Sequence, residues 1–420
     1  MSRPFLPKTW AIFLPWLLLP VNGVRGEAVP PGAPRAGSAG ASIAARQPPA
    51  KAGERLPESG RPVVLWSESV PFPTRETLAF AQGAADVVVH RGGSDGYNFL
   101  HDAAIVQHKG TLFAAWYNCP RGEMVGQSLI RGRRSRDGGR TWSAPEIIAS
   151  DVRNEAVMYV PVALLSHRGT LHAFVTNMKG GPDLVYHCEA FVLDENANAW
   201  TSRGFIAGPF LPNCAPQRLD DGNFLMAGRL ADRPGQKPTI PAVAISRGED
   251  LTSPWTLVRL LPTGELPDGQ RIAIPETTVS VDGRELTALV RREKASSLVF
   301  FSHDSGRTWS APREHNFPMA SSKIYAGLLS TGQRYVLCNL PSNRYRDLLV
   351  IAVSRPGEKV FSKMWKLRDG DCQALKSGPE WSYPCAIEYD GKLYVVYTSE
   401  KHHCVLTTIP LQSLAPFGVR

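Results

Sequence analysis

The chain alternates short apolar stretches with tight turns, and no long segment has the periodicity of an amphipathic helix. Apolar stretches recur directly after a series of turn glycines, and consecutive members of this series lie 49 to 61 residues apart. The glycines are Gly110, Gly169, Gly222, Gly283, Gly332 and Gly391. Short strands repeated at this spacing predict an internal structural repeat.

An eight-residue motif accompanies the repeat. The stretch Ser302–Trp309 reads S-H-D-S-G-R-T-W, and Ser135–Trp142 reads S-R-D-G-G-R-T-W; both are followed by Ser-Ala-Pro. Serine and aspartate side chains bond nearby backbone groups in turns, and glycine adopts backbone angles that other residues resist. Weaker versions of the motif end at Trp200, Trp255 and Phe361. We interpret the motif as a scaffold turn that occurs once in each repeat.

Six repeats of about four strands and one fixed turn each are typical of a β-propeller. The sequence therefore predicts an all-β protein, a six-bladed β-propeller with four-stranded antiparallel blades, over residues 62–420. We expect an N-terminal strand such as Val63–Ser67 to close the last blade.

The N-terminal region differs in composition from the rest of the chain. Residues 1–26 have a basic start at Arg3 and Lys8, then an apolar run that is short for a membrane span, as in a secretory signal peptide. Residues 27–60 are rich in Pro, Gly and Ala and predict a disordered linker. The protein is therefore expected to be secreted or periplasmic, with no stable membrane insertion after signal cleavage; an uncleaved anchor is the alternative.

Composition excludes several function classes. The net charge is +9, but no basic run is interleaved with aromatic residues, so a nucleic-acid partner is not expected. The seven cysteines form no CxxC pair and no Cys/His spacing typical of zinc, so no metal and no cofactor are expected. The odd count leaves at least one cysteine unpaired in an exported protein.

The innermost strands of a propeller lead to one face, where their first residues line a funnel. The residues that precede the turn glycines by one strand length are the candidates for this lining. They are His101, Tyr159 or Val160, Asn213, Glu276, Lys323, Tyr325 and Tyr383. Because most of these side chains are polar, the sequence predicts that catalytic or binding residues lie at the mouth of the funnel.

The motif Ser-x-Asp-x-Gly-x-Thr-Trp is the Asp-box, and a propeller of six blades that carries it resembles the sialidase (neuraminidase) superfamily over residues 85–410. The segments Pro275–Arg291 and Trp381–Pro384 resemble the superfamily's fourth-blade and nucleophile segments. The resemblance implies that Tyr383 is the nucleophile, paired with Glu276. It also implies that Arg291 and Arg346 bind the sialic acid carboxylate, with Arg344 as the second choice for Arg346.

The chemistry of sialic acid accounts for these residue types. Its anomeric carbon carries a carboxylate, which would repel a carboxylate nucleophile but not a neutral tyrosine. Arginine binds a carboxylate through paired hydrogen bonds that lysine cannot form. The resemblance therefore implies an exo-acting glycoside hydrolase, with a glycan or glycoconjugate as substrate. Asn213, Lys323 and Tyr325 are further candidates for substrate binding.

Two positions depart from the superfamily pattern. His101 stands where the superfamily has its first carboxylate-binding arginine, so one arm of the clamp is lost unless His101 is protonated or a neighbouring residue substitutes for the arginine. The acid/base loop, residues 118–127, has no aspartate, and Glu123 is its only carboxylate. We take Glu123 as the candidate acid/base and Asp102 as the alternative.

Three hypotheses remain open on the sequence. The first is a sialidase-like exo-glycosidase acting on terminal sialic acid or a similar acidic sugar. The second is a related propeller enzyme for another sugar, such as a uronic acid, with His101 and Tyr383 as a proton-transfer pair. The third is a propeller that binds glycans or a protein partner without catalysis.

Overall fold

The computed structural model describes residues 61–415, except 94, 294, 343–345 and 371–379. The predicted signal peptide and linker, and the candidate Arg344, lie outside the described residues. The described chain forms 24 β-strands and one short 3₁₀ helix, Leu411–Leu414. The strands form six antiparallel sheets, and the predicted all-β six-bladed propeller is confirmed.

The first strand and the first two blades come from the N-terminal part of the described chain. The strands are β1 (Ala85–Arg91); β2 (Phe99–His108), β3 (Thr111–Cys119), β4 (Leu129–Ser135) and β5 (Glu146–Ala149) in blade 1; and β6 (Val157–His167), β7 (Thr170–Lys179), β8 (Val185–Asp194) and β9 (Ala199–Ala207) in blade 2.

Blades 3 and 4 differ most from the predicted pattern of four strands per blade. Blade 3 consists of β10 (Phe210–Pro212), β11 (Gln217–Arg218), β12 (Phe224–Leu230), β13 (Ile240–Ile245) and β14 (Thr256–Arg259), because its innermost strand is split in two. Blade 4 consists of β15 (Thr277–Asp282), β16 (Glu285–Val290) and β17 (Leu298–Ser302). An isolated bridge from Val299 to Arg313 extends its outer edge.

The last two blades are regular. Their strands are β18 (Tyr325–Leu328), β19 (Arg334–Asn339), β20 (Leu348–Ser354) and β21 (Phe361–Asp369) in blade 5, and β22 (Trp381–Tyr389), β23 (Lys392–Ser399) and β24 (His403–Pro410) in blade 6. All six strands predicted after the turn glycines are present, as β3, β7, β12, β16, β19 and β23.

The strand that closes the last blade is not the predicted one. β1 pairs with β24 in antiparallel register from Ala85 to Arg91 and forms the outer edge of blade 6. The segment Val63–Ser67 makes only isolated parallel bridges, from Val63 to blade 4 and from Trp66 to blade 5. The closure thus uses an N-terminal strand, as expected, but one about twenty residues further along the chain.

The Asp-box motif forms a hydrogen-bonded turn at the outer part of its blade. Ser302 Oγ donates to Asp304 Oδ1 at 2.8 Å and accepts the Gly306 N–H at 2.9 Å. Thr308 donates its N–H and its hydroxyl to the Asp304 carboxylate, and Trp309 Nε1 donates to the Gly306 carbonyl at 3.0 Å. The copy at 135–142 repeats these bonds. Gly306 has a φ of +82°, which favours glycine.

Three innermost strands carry the same β-bulge near their N-terminal ends. The pairing register shifts by one residue between His101 and Ala104 in β2, between Tyr159 and Val162 in β6, and between Ser382 and Cys385 in β22. A bulge bends its strand and redirects a side chain, and it is common beside functional sites. These bulges lie where the funnel residues were predicted.

The apolar core lies between the blades. The largest cluster joins blades 1, 2 and 6, and its largest side chain, Trp116, is fully buried. The six described cysteines are buried and unpaired, while Cys372 is outside the described residues. Within the described part of the chain, no helix is long and apolar enough to cross a membrane.

Candidate active site

The site is built from residues at the N-terminal ends of the innermost strands and at the C-terminal ends of the strands paired with them. His101 lies near the start of β2, Glu276 directly precedes β15, and Tyr383 lies near the start of β22. Arg291 directly follows β16, the partner of β15. Antiparallel pairing brings these two kinds of strand end to the same face, so residues from different blades meet there.

Glu276, Arg291 and Tyr383 form a hydrogen-bonded group. Arg291 Nη1 donates to Glu276 Oε2 at 2.7 Å and to the Tyr383 hydroxyl at 3.1 Å. Glu276 and Tyr383 thus share Arg291 Nη1 as a common donor. Glu276 and Arg291 are buried, and Tyr383 is partly exposed. Part of the Tyr383 side chain is therefore accessible, while its hydroxyl contacts the buried ion pair of Glu276 and Arg291.

The ionisation states follow from this arrangement. Burial raises the pKa of Tyr383 well above its usual value, and the charge of Glu276 adds to the effect, while Arg291 and Arg346 oppose it. Burial would raise the pKa of Glu276, but the guanidinium groups of Arg291 and Arg229 overcome it and lower that pKa to about 2. Near neutral pH the group is a carboxylate, a guanidinium and a protonated tyrosine.

Arg346 approaches Tyr383 from the fifth blade. Its guanidinium carbon lies 5.5 Å from the centre of the Tyr383 ring, within the range of a cation–π contact. Nη1 donates to Glu380 Oε1 at 2.6 Å and Nη2 to the Ser321 carbonyl at 3.2 Å. Both members of the Arg346–Glu380 ion pair are buried. The geometry places two arginines, Arg291 and Arg346, beside one tyrosine.

His101 packs against the same tyrosine, but as a neutral group. The two ring centres are 4.0 Å apart, and His101 Nδ1 lies 2.8 Å from the Thr398 hydroxyl. Burial lowers the pKa of His101 well below its usual value, and Lys401, Arg346, Lys323 and Arg291 lower it further. A protonated His101 in place of the missing arginine is therefore not supported. Among the described residues, its Nε2 has no hydrogen-bond partner.

Asp102 and Lys323 form a second buried ion pair in the site. Lys323 Nζ contacts Asp102 Oδ1, and Nζ lies 5.6 Å from the centre of the Tyr383 ring. Burial raises the pKa of Asp102 to about 6, although Lys323 opposes the shift. Asp102 also adopts a φ of +53°, and Tyr383 one of +60°, a region that non-glycine residues rarely occupy.

Glu123 does not join this cluster. Its side chain is exposed, and its carboxylate accepts a hydrogen bond from the Tyr117 hydroxyl at 3.2 Å and one from Lys401 Nζ at 2.8 Å. Tyr117 in turn lies edge-on to His101, with ring centres 6.1 Å apart. Glu123 is thus linked to the cluster only through intervening side chains.

Two other candidates support the backbone around the site. Asn213 Oδ1 accepts the N–H of Thr277, the residue after Glu276, at 3.1 Å. The hydroxyl of Tyr325 donates to the Ala386 carbonyl at 2.9 Å. Both side chains hold neighbouring innermost strands in place.

Arg229 is a site residue that the sequence reasoning missed. It lies near the end of β12 in blade 3, is buried, and affects the pKa values of both Asp102 and Glu276 through its charge. Arg229 comes seven residues after the turn glycine of its blade, and Arg291 comes eight residues after its own. These similar offsets are the sequence signal that predicts a side chain at this position of the site.

The cluster as a whole is rich in cations. It contains the guanidinium groups of Arg229, Arg291 and Arg346 and the ammonium group of Lys323. Within the described residues, no group of three or more His, Cys, Asp or Glu side chains could hold a metal ion. The arrangement suits an anionic ligand placed over Tyr383.

Solved structures with a similar fold are numerous, and the three described next are 14–16% identical to this chain. A protein of unknown function from Dyadobacter fermentans has a TM-score of 0.61 and 15% identity, covering 78% of this chain and 99% of its own. The Hadza microbial sialidase Hz136 has a TM-score of 0.62 and 16% identity, covering 78% of this chain and 69% of its own. Trypanosoma rangeli sialidase in complex with sialic acid has a TM-score of 0.59 and 14% identity, covering 80% of this chain and 60% of its own.

At these identities the likenesses establish the fold alone. Among curated proteins no sequence matches this chain. Residues 110–395 match the family described as BNR repeat-like domain, and they make up most of the propeller. The chain therefore belongs to the BNR repeat-like domain family, and it has the six-bladed propeller fold that sialidases share.

Proposed function

We propose that the protein is an exported exo-glycosidase that hydrolyses terminal sialic acid, or a similar acidic sugar, from glycoconjugates. The observation that carries the proposal is the contact of the Tyr383 hydroxyl with Arg291, which also holds Glu276. The proposal that the protein is exported rests on residues 1–26, which resemble a secretory signal peptide. The sialidase structures with the same fold support the reaction class by analogy only.

Arg291 and Arg346 are the proposed binding groups for the sugar carboxylate. Both guanidinium groups lie beside Tyr383. An arginine can offer two parallel N–H groups to a carboxylate, which fixes the sugar as well as attracting it. Arg229 and Lys323 add positive charge around the same position and favour an anionic substrate over a neutral one.

Tyr383 is the proposed nucleophile and Glu276 its base. The hydroxyl oxygen attacks the anomeric carbon, its proton passes to the Glu276 carboxylate, and the glycosidic bond breaks. In the free protein Arg291 keeps the pKa of Glu276 near 2, which makes it a weak base. When the substrate carboxylate draws Arg291 towards itself, Glu276 loses part of that stabilisation and becomes more basic.

Asp102 is the acid/base that the geometry favours over Glu123. Its pKa of about 6 keeps a useful fraction protonated at mildly acidic pH, and it is paired with Lys323, whose ammonium group lies over the Tyr383 ring. In its protonated form it gives a proton to the leaving oxygen, and as a carboxylate it then takes one from the water that cleaves the glycosyl–tyrosine bond. Glu276 finally returns its proton to Tyr383.

A second candidate reaction has its own supporting observation. The neutral His101 ring lies 4.0 Å from the Tyr383 ring, and its Nε2 has no hydrogen-bond partner within the described residues. Such a nitrogen could take the proton at C5 of a uronic acid, while Tyr383 protonates the leaving oxygen at C4. The product would carry a C4–C5 double bond that absorbs in the ultraviolet.

A product assay on the purified protein separates the hypotheses. We expect free sialic acid from 3′- or 6′-sialyllactose, in amounts that rise with time and with protein concentration. An ultraviolet-absorbing product from a polyuronate, with no free sialic acid, would favour the second reaction. Binding of sialyllactose without turnover of either substrate would favour the third hypothesis, a glycan-binding propeller.

A further inference from the structure

A second site lies away from the catalytic cluster, in a cleft between blades 1 and 2. The cleft has a volume of about 730 Å³ and lies between β5, the outer strand of blade 1, and β9, the outer strand of blade 2, with the connecting residues 150–157. Its size falls within the range of small-ligand sites in proteins. None of Tyr383, Glu276, Arg291 and Arg346 lines it.

The aromatic wall of the cleft comes from a degenerate Asp-box. In both intact copies the tryptophan donates its indole N–H to a carbonyl of its own turn, as Trp142 does to Gly139 at 3.0 Å. Trp200, which ends the degenerate copy in blade 2, instead points its Nε1 at Glu146 Oε2 of blade 1, at 3.4 Å. The ring therefore spans the gap between the blades and lines the cleft.

Two further aromatic residues complete this wall. Tyr159 and Phe191 also line the cleft, and their rings meet edge-on with centres 6.0 Å apart. Ile147 and Val152 add exposed apolar surface along the cleft. The flat faces of aromatic rings suit the C–H faces of a pyranose ring, and they bind with little loss of side-chain entropy.

The polar part of the cleft is organised around Glu189. Its carboxylate accepts hydrogen bonds from His187, Asn177 and Ser202 at 2.9, 3.0 and 3.2 Å. Because an ionised carboxylate only accepts, Asn177 must turn its Nδ2 towards Glu189 and its Oδ1 away. Asn177 is buried, and its Oδ1 has no partner among the residues that the structure describes. That oxygen is enclosed, so the group that can meet a ligand is Glu189 itself: its side chain is 12% exposed, and three donors leave its carboxylate able to accept one more hydroxyl.

The charges that line the cleft are already paired within the protein. Glu146 accepts two hydrogen bonds from Arg134. Glu155 pairs with Lys179 at 2.8 Å, and Asp151 accepts two backbone N–H groups from its own loop. An anionic sugar would meet four carboxylates against one guanidinium, that of Arg153, which lies 4.0 Å from Glu155. A cation would find none of the carboxylates without a partner. The lining therefore favours an uncharged, hydroxyl-rich ligand.

We propose that this cleft binds a neutral pyranose unit of a glycan, with Trp200 against the ring face and the Glu189 carboxylate accepting a sugar hydroxyl. The proposal is independent of the central reaction, because it needs no turnover. The propeller would then recognise an acidic sugar at its funnel and a neutral sugar between two blades, on one branched glycan or on two chains.

The test uses lactose as the neutral probe and measures binding to the purified protein by titration calorimetry and by saturation-transfer NMR. We expect Trp200→Ala to weaken lactose binding about tenfold, and Glu189→Gln to weaken it about fivefold. Phe80→Ala is the matched control, since Phe80 is an exposed aromatic residue outside the cleft. It should bind lactose like the unaltered protein.

Each result counts for or against the site. Loss of binding in both cleft variants, with an unchanged melting temperature, supports it. Lactose that does not bind the unaltered protein, or binds both cleft variants undiminished, overturns it, as does tighter binding of galacturonate than of lactose at the cleft. If Trp200→Ala does not fold, Glu189→Gln decides alone, because glutamine has nearly the same size as glutamate and the indole ring is kept.

Discussion

Asp102 and Tyr383 occupy the same position in two neighbouring blades. Each is the residue after the first register partner of a β-bulge, in β2 and β22 respectively, and each has a positive φ, of 53° and 60°. The two bulges direct one carboxyl and one phenol towards the same cationic centre, where Lys323 contacts Asp102 and lies over the Tyr383 ring. Backbone strain of this kind is typical of functional sites and supports the roles proposed for both residues.

Replacement of Tyr383 by phenylalanine tests the nucleophile. The variant Tyr383→Phe keeps the ring that packs on His101 and Arg346 but loses the hydroxyl that contacts Arg291. We expect kcat for sialyllactose to fall by at least about 10³-fold, with the melting temperature nearly unchanged. Full activity in this variant would remove Tyr383 from the mechanism.

The pH profile tests the acid. With a pKa of about 6, Asp102 is about 90% protonated at pH 5 and about 10% protonated at pH 7. Since the protonated form starts the reaction, kcat/KM should be level at low pH and fall about tenfold per unit above pH 6. Titration of His101 adds no second limb to the pH profile in this range, because burial among cations keeps the imidazole neutral.

Two matched variants separate the acid candidates. Asp102→Asn should lower activity on sialyllactose by about 10²–10⁴-fold, and much less on an aryl sialoside whose leaving group needs no proton. Glu123→Gln alters an exposed carboxylate that contacts Lys401 and Tyr117, and it should leave both activities within about twofold. The opposite order of effects would transfer the role to Glu123.

Arg346→Lys tests the carboxylate clamp. Lysine keeps the charge that faces Glu380 but cannot form the paired hydrogen bonds of a guanidinium group. We expect KM for sialyllactose to rise about tenfold or more, with a smaller change in kcat. Arg140→Lys, at an exposed Asp-box position, is the control and should change neither constant. An unchanged KM in Arg346→Lys would exclude Arg346 from substrate binding.

The Asp-box tryptophans should affect stability and not catalysis. Trp309 is partly exposed, so Trp309→Ala should cost about 1–3 kcal/mol of unfolding free energy. Trp116 is fully buried in the largest core cluster, and Trp116→Ala should cost about 3–5 kcal/mol. Urea denaturation of the two variants measures the difference, and a fall in kcat for Trp309→Ala with no loss of stability would contradict the scaffold interpretation.

The sequence predicts the propeller well because its signals are local. Each Asp-box and each strand after a turn glycine is specified by residues close together in the chain, and all six of those strands are present. The closing strand depends on which N-terminal segment fits the free edge of β24. That choice between β1 and Val63–Ser67 is a long-range pairing, and the local pattern does not determine it.

Site chemistry is only partly accessible from sequence for a similar reason. The positions of Glu276, Tyr383 and Arg291 relative to the turn glycines predict that the three residues lie on one face of the propeller. The charge states of site residues, however, depend on their burial among groups from other blades. His101 is neutral because four cations and a buried environment act on it, and no motif predicts that. The exposure of Glu123 likewise emerges only when the blades are assembled, whereas the position of Arg229, seven residues after Gly222, is visible in the sequence.

The most direct measurement is covalent trapping of the glycosyl–enzyme intermediate. A 2,3-difluoro sialic acid should react with the purified protein, because its fluorine at C3 slows the breakdown of the intermediate. Mass spectrometry should then find one added sialyl group, on the peptide that contains Tyr383, and Tyr383→Phe should show none. Release of sialic acid from sialyllactose without any adduct, or with the adduct on another residue, would contradict the account.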